Sequence, residues 1–237
     1  GSLVMVLEVA FSALTPSAGN LVASGDQQGL RQVFGEYQLL AVSVYGTASV
    51  VLLLTLDDLV RLWLGESFVL PWGVVLALIL NFYVVGVMAP IFTFRSATGM
   101  FRDTRYVLAV TALLNVALSL VLGREFGLVG ILVATLLARL LTNAWVEPLV
   151  LFRRYIHGAA RSFVVTHLLA LAVFVSCYGI CSVLLELLPA EPWWRVLAGA
   201  SLASLLVAVA LTVTFGRTAA ARSLATRAIQ LLRRPGS

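Results

Sequence analysis

Seven long apolar runs, at about 3–24, 38–60, 72–94, 106–123, 127–151, 163–185 and 193–216, constrain this chain more than any other feature. Each holds roughly 18–25 residues, the length of helix that crosses about 30 Å of hydrocarbon. In that solvent every backbone N–H and C=O must find a partner inside the protein, which leaves helices or closed barrels. The runs are continuous rather than alternating, so strands fit them poorly. Hydrophobic residues make up 61% of the chain and charged residues 11%, with a mean hydropathy of +1.02. A soluble domain is nearer half apolar and a quarter charged. The expected fold is an all-α integral membrane protein of about seven transmembrane helices.

The fifth run carries the most informative polar residues. Within GLVGILVATLLARLLTNAWVEPLVLF (127–152), Arg139, Asn143 and Glu147 are spaced four apart. On one continuous helix they share a stripe about 80° wide. Arg139 is near the middle of the run, where insertion of an Arg costs about 2.5–3.5 kcal/mol, so its head group should face protein or a wet cavity. Glu147 is eight residues, or about 12 Å, from Arg139, too far to pair with it directly. The fourth run repeats the pattern with Thr111, Asn115 and Ser119. The very short connection REFG (124–127) makes these two helices antiparallel neighbours, and both polar stripes can then line one cleft. In the competing reading Asn115 and Ser119 are interhelical glue, each worth about 1 kcal/mol or less.

Other runs are less pointed. Glu8, Ser12, Thr15 and Gly19 form one polar or small face of the first run. Glu8 is either a carboxylate facing a lumen or one resting among lipid head groups, and Pro16 should kink this helix. SGDQQGLRQVFGEY (24–37) reads as a loop back to the membrane. Asp57 and Asp58 could serve as a base or metal ligands; as a solvated helix end they would pair with Arg61. Trp63 and Trp72 read as interfacial anchors. Pro90 invites a break in the third run, which also holds Asn81. His167, Cys177 and Cys181 are read as packing residues rather than a metal site. After Arg217, an apolar face of Ala220, Leu224, Ala228, Leu231 and Leu232 opposes Arg222, Arg227, Arg233 and Arg234, as in an amphipathic helix lying on a membrane surface.

All 16 basic residues are Arg. Alternate connections hold Arg31; Arg95, Arg102 and Arg105; Arg153, Arg154 and Arg161; and, in the tail, Arg217, Arg222, Arg227, Arg233 and Arg234. The other side holds Arg61, Arg124 and Arg195. A bias of twelve to three puts the Arg-rich side and the C-terminus in the cytoplasm. Seven crossings then place the N-terminus outside, which suits a fragment that lacks an odd number of upstream helices. Gly1-Ser2 likewise reads as a truncation point.

No Walker-type Gly-rich loop, HExxH, paired CxxC or Ser-His-Asp spacing is present. The chain is therefore expected to be neither an ATP-driven protein nor an enzyme, and to need no cofactor. The pI of about 9.8 follows from topology rather than from nucleic-acid binding. Four segments carry a resemblance: LTPSAGNLVASGD (14–26), VRLWLGESFVLPW (60–72), APIFTFRSATGMFRDTRY (89–106) and LLNVALSLVLGREFGLVGILVATLLARLL (113–141). Together they resemble the C-terminal half of the Wzx-like lipid-linked oligosaccharide flippases, in the multidrug/oligosaccharidyl-lipid/polysaccharide (MOP) exporter superfamily. The similarity covers about residues 3–155.

The resemblance implies the C-terminal lobe of a transporter of twelve to fourteen helices. Residues 1–157 would form that lobe with five transmembrane helices, 158–216 an additional helix pair and 217–237 a cytoplasmic amphipathic tail. It implies flipping of an undecaprenyl-diphosphate-linked oligosaccharide across the bacterial cytoplasmic membrane for cell-surface polysaccharide biosynthesis. The partners would be that glycan lipid, membrane lipids and the missing N-terminal half. Arg139 would match the family's cationic cleft, with Asn143, Glu147, Asn115, Ser119 and Glu8 as further substrate-binding candidates. A cation-coupled multidrug antiporter of the same superfamily would use Glu8 and Glu147 instead. A membrane glycosyltransferase would use Asp57 or Asp58, and a non-catalytic partner of an export complex would use none of these.

Overall fold

The computed structural model describes residues 24–187 and 191–232, with side chains through 226. In chain order the helices are α1 (Gln27–Trp63), α2 (Trp72–Val87), α3 (Ala89–Thr98), α4 (Phe101–Leu141), α5 (Asn143–Arg154), α6 (Ala160–Glu186), α7 (Pro192–Phe215) and α8 (Ala219–Leu232). A short 3₁₀ turn, Glu66–Phe68, joins α1 to α2. No strand occurs among the described residues. Five helical segments, Gln27–Trp63, Trp72–Thr98, Phe101–Arg154, Ala160–Glu186 and Pro192–Phe215, are long and apolar enough to cross a membrane. The sequence leads one to expect seven. The first run, with Glu8, lies outside the described residues, and the fourth and fifth runs fall within one helical segment.

That segment is folded back on itself. Gly127 has φ 58° and ψ −135°, a conformation that costs an L side chain dearly and glycine little. Beyond it the chain returns so closely that a Cβ added at Gly130 would lie 1.9 Å from the Leu122 carbonyl oxygen. Asn115 Nδ2 then donates to Thr135 Oγ1 at 3.2 Å, and the hydroxyls of Thr111 and Thr142 meet at 2.7 Å. In a straight helix the latter pair would be about 46 Å apart. Two antiparallel arms, 101–126 and 128–141, result.

The stretch 24–37, expected to be a loop, is largely helix. Asp26 caps it by accepting from the N–H groups of Gln28 (3.1 Å) and Gly29 (2.9 Å). Leu30, Val33, Phe34 and Tyr37 then recur at helical spacing on a buried face. The turn signals were overridden by that face: Phe34 packs edge-on against Phe94 and Phe152, each at 5.3 Å between centroids. With 37 residues, α1 is about 55 Å long and outreaches a bilayer core of about 30 Å.

Two apolar cores surround α1. One gathers Leu30, Phe34, Phe94, Met100, Leu151 and Ile156 from α1, α3, α5 and the connections beside them. The other joins Val42, Val87, Phe174, Cys177, Cys181 and Val207, so α6 and α7 share a core with α1 and α2. His167 packs against Phe163 at 4.3 Å between ring centroids, its Nδ1 2.9 Å from Gln38 Nε2.

The Arg-rich connections converge at one end. Arg154 pairs with Asp103, and Tyr155 donates to the same carboxylate at 3.3 Å. Burial first and that carboxylate second push the Tyr155 phenol above its ordinary pKa. Gln27 donates to the Tyr155 carbonyl at 3.0 Å and Gln32 to Ser223 Oγ at 3.2 Å, drawing the start of α1 and the tail helix to the same place. At the opposite end Trp63, Trp72, Trp193 and Trp194 are all exposed, as interfacial anchors would be. There the expected pairing of Arg61 with Asp57 or Asp58 is replaced. Arg61 reaches Glu66 at 3.4 Å and Asp58 faces Arg195 of α7 at 3.6 Å. An α7 partner at helix depth competes better for Asp58 than a side chain on its own exposed face.

Candidate functional site

Arg139 opens onto a half-open cleft of about 540 Å³ built from four neighbouring elements. Val84, Val85 and Met88 of the α2 end and Phe92 of α3 form one wall. Leu108, Thr111, Ala112, Asn115 and Val116 of the first α4 arm form the second. Arg139, Asn143 and Ala144 close the back. The geometry follows from the two helix breaks. The Gly127 turn brings the arms together, and the seam at Thr142 (φ −124°, ψ −87°) redirects the chain into α5. Pro148, which has no N–H, also leaves the Ala144 carbonyl without its helical donor on the cleft wall.

The guanidinium of Arg139 is half-buried, and its Nη1 donates to Asn81 Oδ1 at 3.2 Å. Asn81 is itself locked, its Nδ2 donating to the carbonyls of Ala77 and Leu132, both at 2.9 Å. No carboxylate forms an ion pair with Arg139 among the described residues. The charge therefore stands in a cleft that is apolar apart from Thr111, Asn115 and Asn143, held by an amide that orients it without neutralising it. Such a centre favours an anion with an apolar neighbour.

The other candidate residues separate into two groups. Asn143 and Asn115 line the cleft with Arg139. Asn143 Oδ1 accepts from Thr111, with the Thr142 hydroxyl 3.2 Å away, and Asn115 bonds Thr135 across the hairpin. Ser119 does not line the cleft; it donates to Asn115 Oδ1 at 3.1 Å and so steadies that amide. Glu147 also leaves the stripe. The break at Thr142 interrupts the single helix on which the fourfold spacing would align it, and its side chain turns into the protein.

Glu147 is fully buried (0% exposed) and accepts from Arg95 Nη1 at 2.7 Å. Arg95, 16% exposed, also lies against the rings of Phe92 and Phe101, at 5.4 and 5.6 Å. This pair sits about one helical turn beyond the cleft, Arg95 three residues after Phe92 and Glu147 four after Asn143. By sequence Arg95 groups with Arg102 and Arg105 in a basic connection, whereas the structure places it within α3. The signal for it was position: it follows APIFTF directly, inside the last turn of a buried helix. Asn81 was likewise noted only as a polar residue in an apolar run. Asp57 and Asp58 belong to the far end of α1, remote from the cleft.

Asn81→Ala is expected to remove the only oriented partner of Arg139 seen among the described residues and the side-chain bond that ties α2 to the Leu132 carbonyl. The stability loss should be about 1–3 kcal/mol, read by thermal unfolding in detergent. No family model, curated protein or solved structure matches this chain.

Proposed function

We propose that this chain forms part of a transporter that flips a lipid-linked, diphosphate-bearing oligosaccharide between leaflets by alternating access. The cargo class is an undecaprenyl-diphosphate glycan destined for cell-surface polysaccharide. Arg139 holds the diphosphate, Asn115 and Asn143 offer hydrogen bonds beside it, and the isoprenoid tail stays in lipid against the apolar cleft mouth. On this reading the Arg-rich end faces the cytoplasm of a bacterial cell and a second transporter half completes the pathway.

One observation carries the reading: a cation with no carboxylate partner among the described residues, lining a mostly apolar cleft within a bundle of membrane-length helices. The rival cation antiporter would need a free acidic centre; of its two candidates, Glu147 is engaged by Arg95 away from that cleft and Glu8 lies outside the described residues. The test is glycan export by the full-length transporter carrying Arg139→Ala or Arg139→Lys. Membrane insertion is followed through a fluorescent C-terminal fusion. Arg139→Ala should lower surface glycan at least about tenfold at normal insertion, the loss expected when a charge-assisted contact of about 1.5–3 kcal/mol is removed. Arg139→Lys should keep part of the activity, because it preserves the charge but loses the planar fork. Normal export by Arg139→Ala would remove the anion site from the mechanism.

A further inference from the structure

A second cavity lies away from the Arg139 cleft, at the Arg-rich end where the tail helix crosses the bundle. It has a volume of about 410 Å³ and runs between α1, α7 and α8. That is within the range of about 300–1,000 Å³ typical of small-ligand pockets. Leu39, Leu40, Leu211, Phe215 and Leu224 supply its walls, and Arg222 stands at its rim. Thr212 also lines it, but its hydroxyl donates to the Ala208 carbonyl of its own helix at 2.7 Å, so its methyl face is left for the cavity.

We propose that this groove binds one anionic phospholipid, with an acyl chain against Leu39, Leu211 and Phe215 and the phosphate on Arg222. Three observations converge. The walls belong to α1 and α7, helices long and apolar enough to cross a membrane, so the medium available to fill the groove is hydrocarbon. The rim charge is free: Arg222 is exposed and forms no ion pair with any described residue. The segment 217–237 holds five Arg and no Asp or Glu, so the tail carries a net positive charge. Basic pockets between transmembrane helices suit anionic head groups, with each Arg near the surface worth about 1 kcal/mol. The lipid would also pin α8 against α1, where Gln32–Ser223 is the one polar bond described between those helices.

The inference is independent of the cargo assigned to the Arg139 cleft. It is tested on the purified full chain in detergent by native mass spectrometry, titrating phosphatidylglycerol against phosphatidylcholine of the same chain length. Phosphatidylglycerol should be retained in a one-to-one complex at concentrations where phosphatidylcholine is not. Arg222→Gln should weaken that complex about fivefold, and Arg222→Lys should largely restore it. Ala225→Trp leaves every charge in place but fills the groove from an exposed position, and it should also displace the lipid. Both altered residues are exposed, so neither change disturbs a core. Equal retention of the two lipids, or phosphatidylglycerol binding unchanged in Arg222→Gln, would overturn the head-group assignment. Unchanged binding in Ala225→Trp would overturn the groove.

Discussion

Glu147→Ala is expected to cost about 3–5 kcal/mol of stability, and Arg95→Ala a similar amount. The reason is what each change leaves behind. Glu147 is fully buried, and its Oε2 has no hydrogen-bond partner among the described residues, so a single charge-assisted bond to Arg95 is all that compensates the carboxylate's burial there. Removing Glu147 strands a guanidinium whose Nε is also buried without a partner. Removing Arg95 strands a carboxylate in an apolar layer. Replacing both together, as Arg95→Met with Glu147→Leu, should recover most of the loss, because desolvation of the pair offsets much of its attraction. Unfolding of the two single variants and the double variant in detergent closes a mutant cycle. Single losses below about 1 kcal/mol would show that the pair is solvated and does not hold α3 to α5.

Gly130→Leu is expected to open the α4 hairpin. A side chain there must displace the Leu122 carbonyl, which is backbone and cannot rotate away. The cost should be about 3 kcal/mol or more. Gly127→Val should cost a further about 1–3 kcal/mol, since φ 58° with ψ −135° is essentially a glycine conformation. Gly179→Ala is the control. Nothing lies within 4 Å of a Cβ added there, and in a helix interior alanine gains up to about 1 kcal/mol over glycine. A cross-link made by a short thiol-bridging reagent between Asn115→Cys and Thr135→Cys reports the closed hairpin, because Asn115 Nδ2 and Thr135 Oγ1 lie 3.2 Å apart. It should form readily in the Gly179→Ala background and fail in Gly130→Leu. Efficient cross-linking in Gly130→Leu would mean that the arms find another way to pack. Opening the hairpin would also dismantle the cleft, since Asn115 and Arg139 stand on opposite arms.

The hairpin was legible in the sequence, because a connection as short as REFG (124–127) leaves two apolar helices no arrangement but antiparallel neighbours. Of the two polar stripes, only Thr111 and Asn143 bond each other, Asn143 standing just past the second arm; Asn115 bonds Thr135, which neither stripe contains. Glu147 shows where such reading stops. Its spacing from Arg139 and Asn143 implied a common face only if the helix stayed regular. The break at Thr142 and Pro148 in the next turn removed that condition. The stretch 24–37 failed differently. Its Gly, Asp and Gln residues signal a turn, yet buried Leu30, Phe34 and Tyr37 had a core waiting for them that local propensity cannot see.

Apolar length and arginine placement by themselves dictated helices long enough to cross a membrane, the helical class and the gathering of basic connections at one end. These properties are set residue by residue, by the cost of exposing backbone or charge to hydrocarbon. Which polar groups meet was decided only in three dimensions. Arg139 finds Asn81 across 58 residues, and Arg95 finds Glu147 across 52. Helices apolar around their whole circumference carry little mark of which face meets lipid and which meets protein. Their rotation and depth, and hence the partners of every buried charge, follow from packing against neighbours that the linear order does not name.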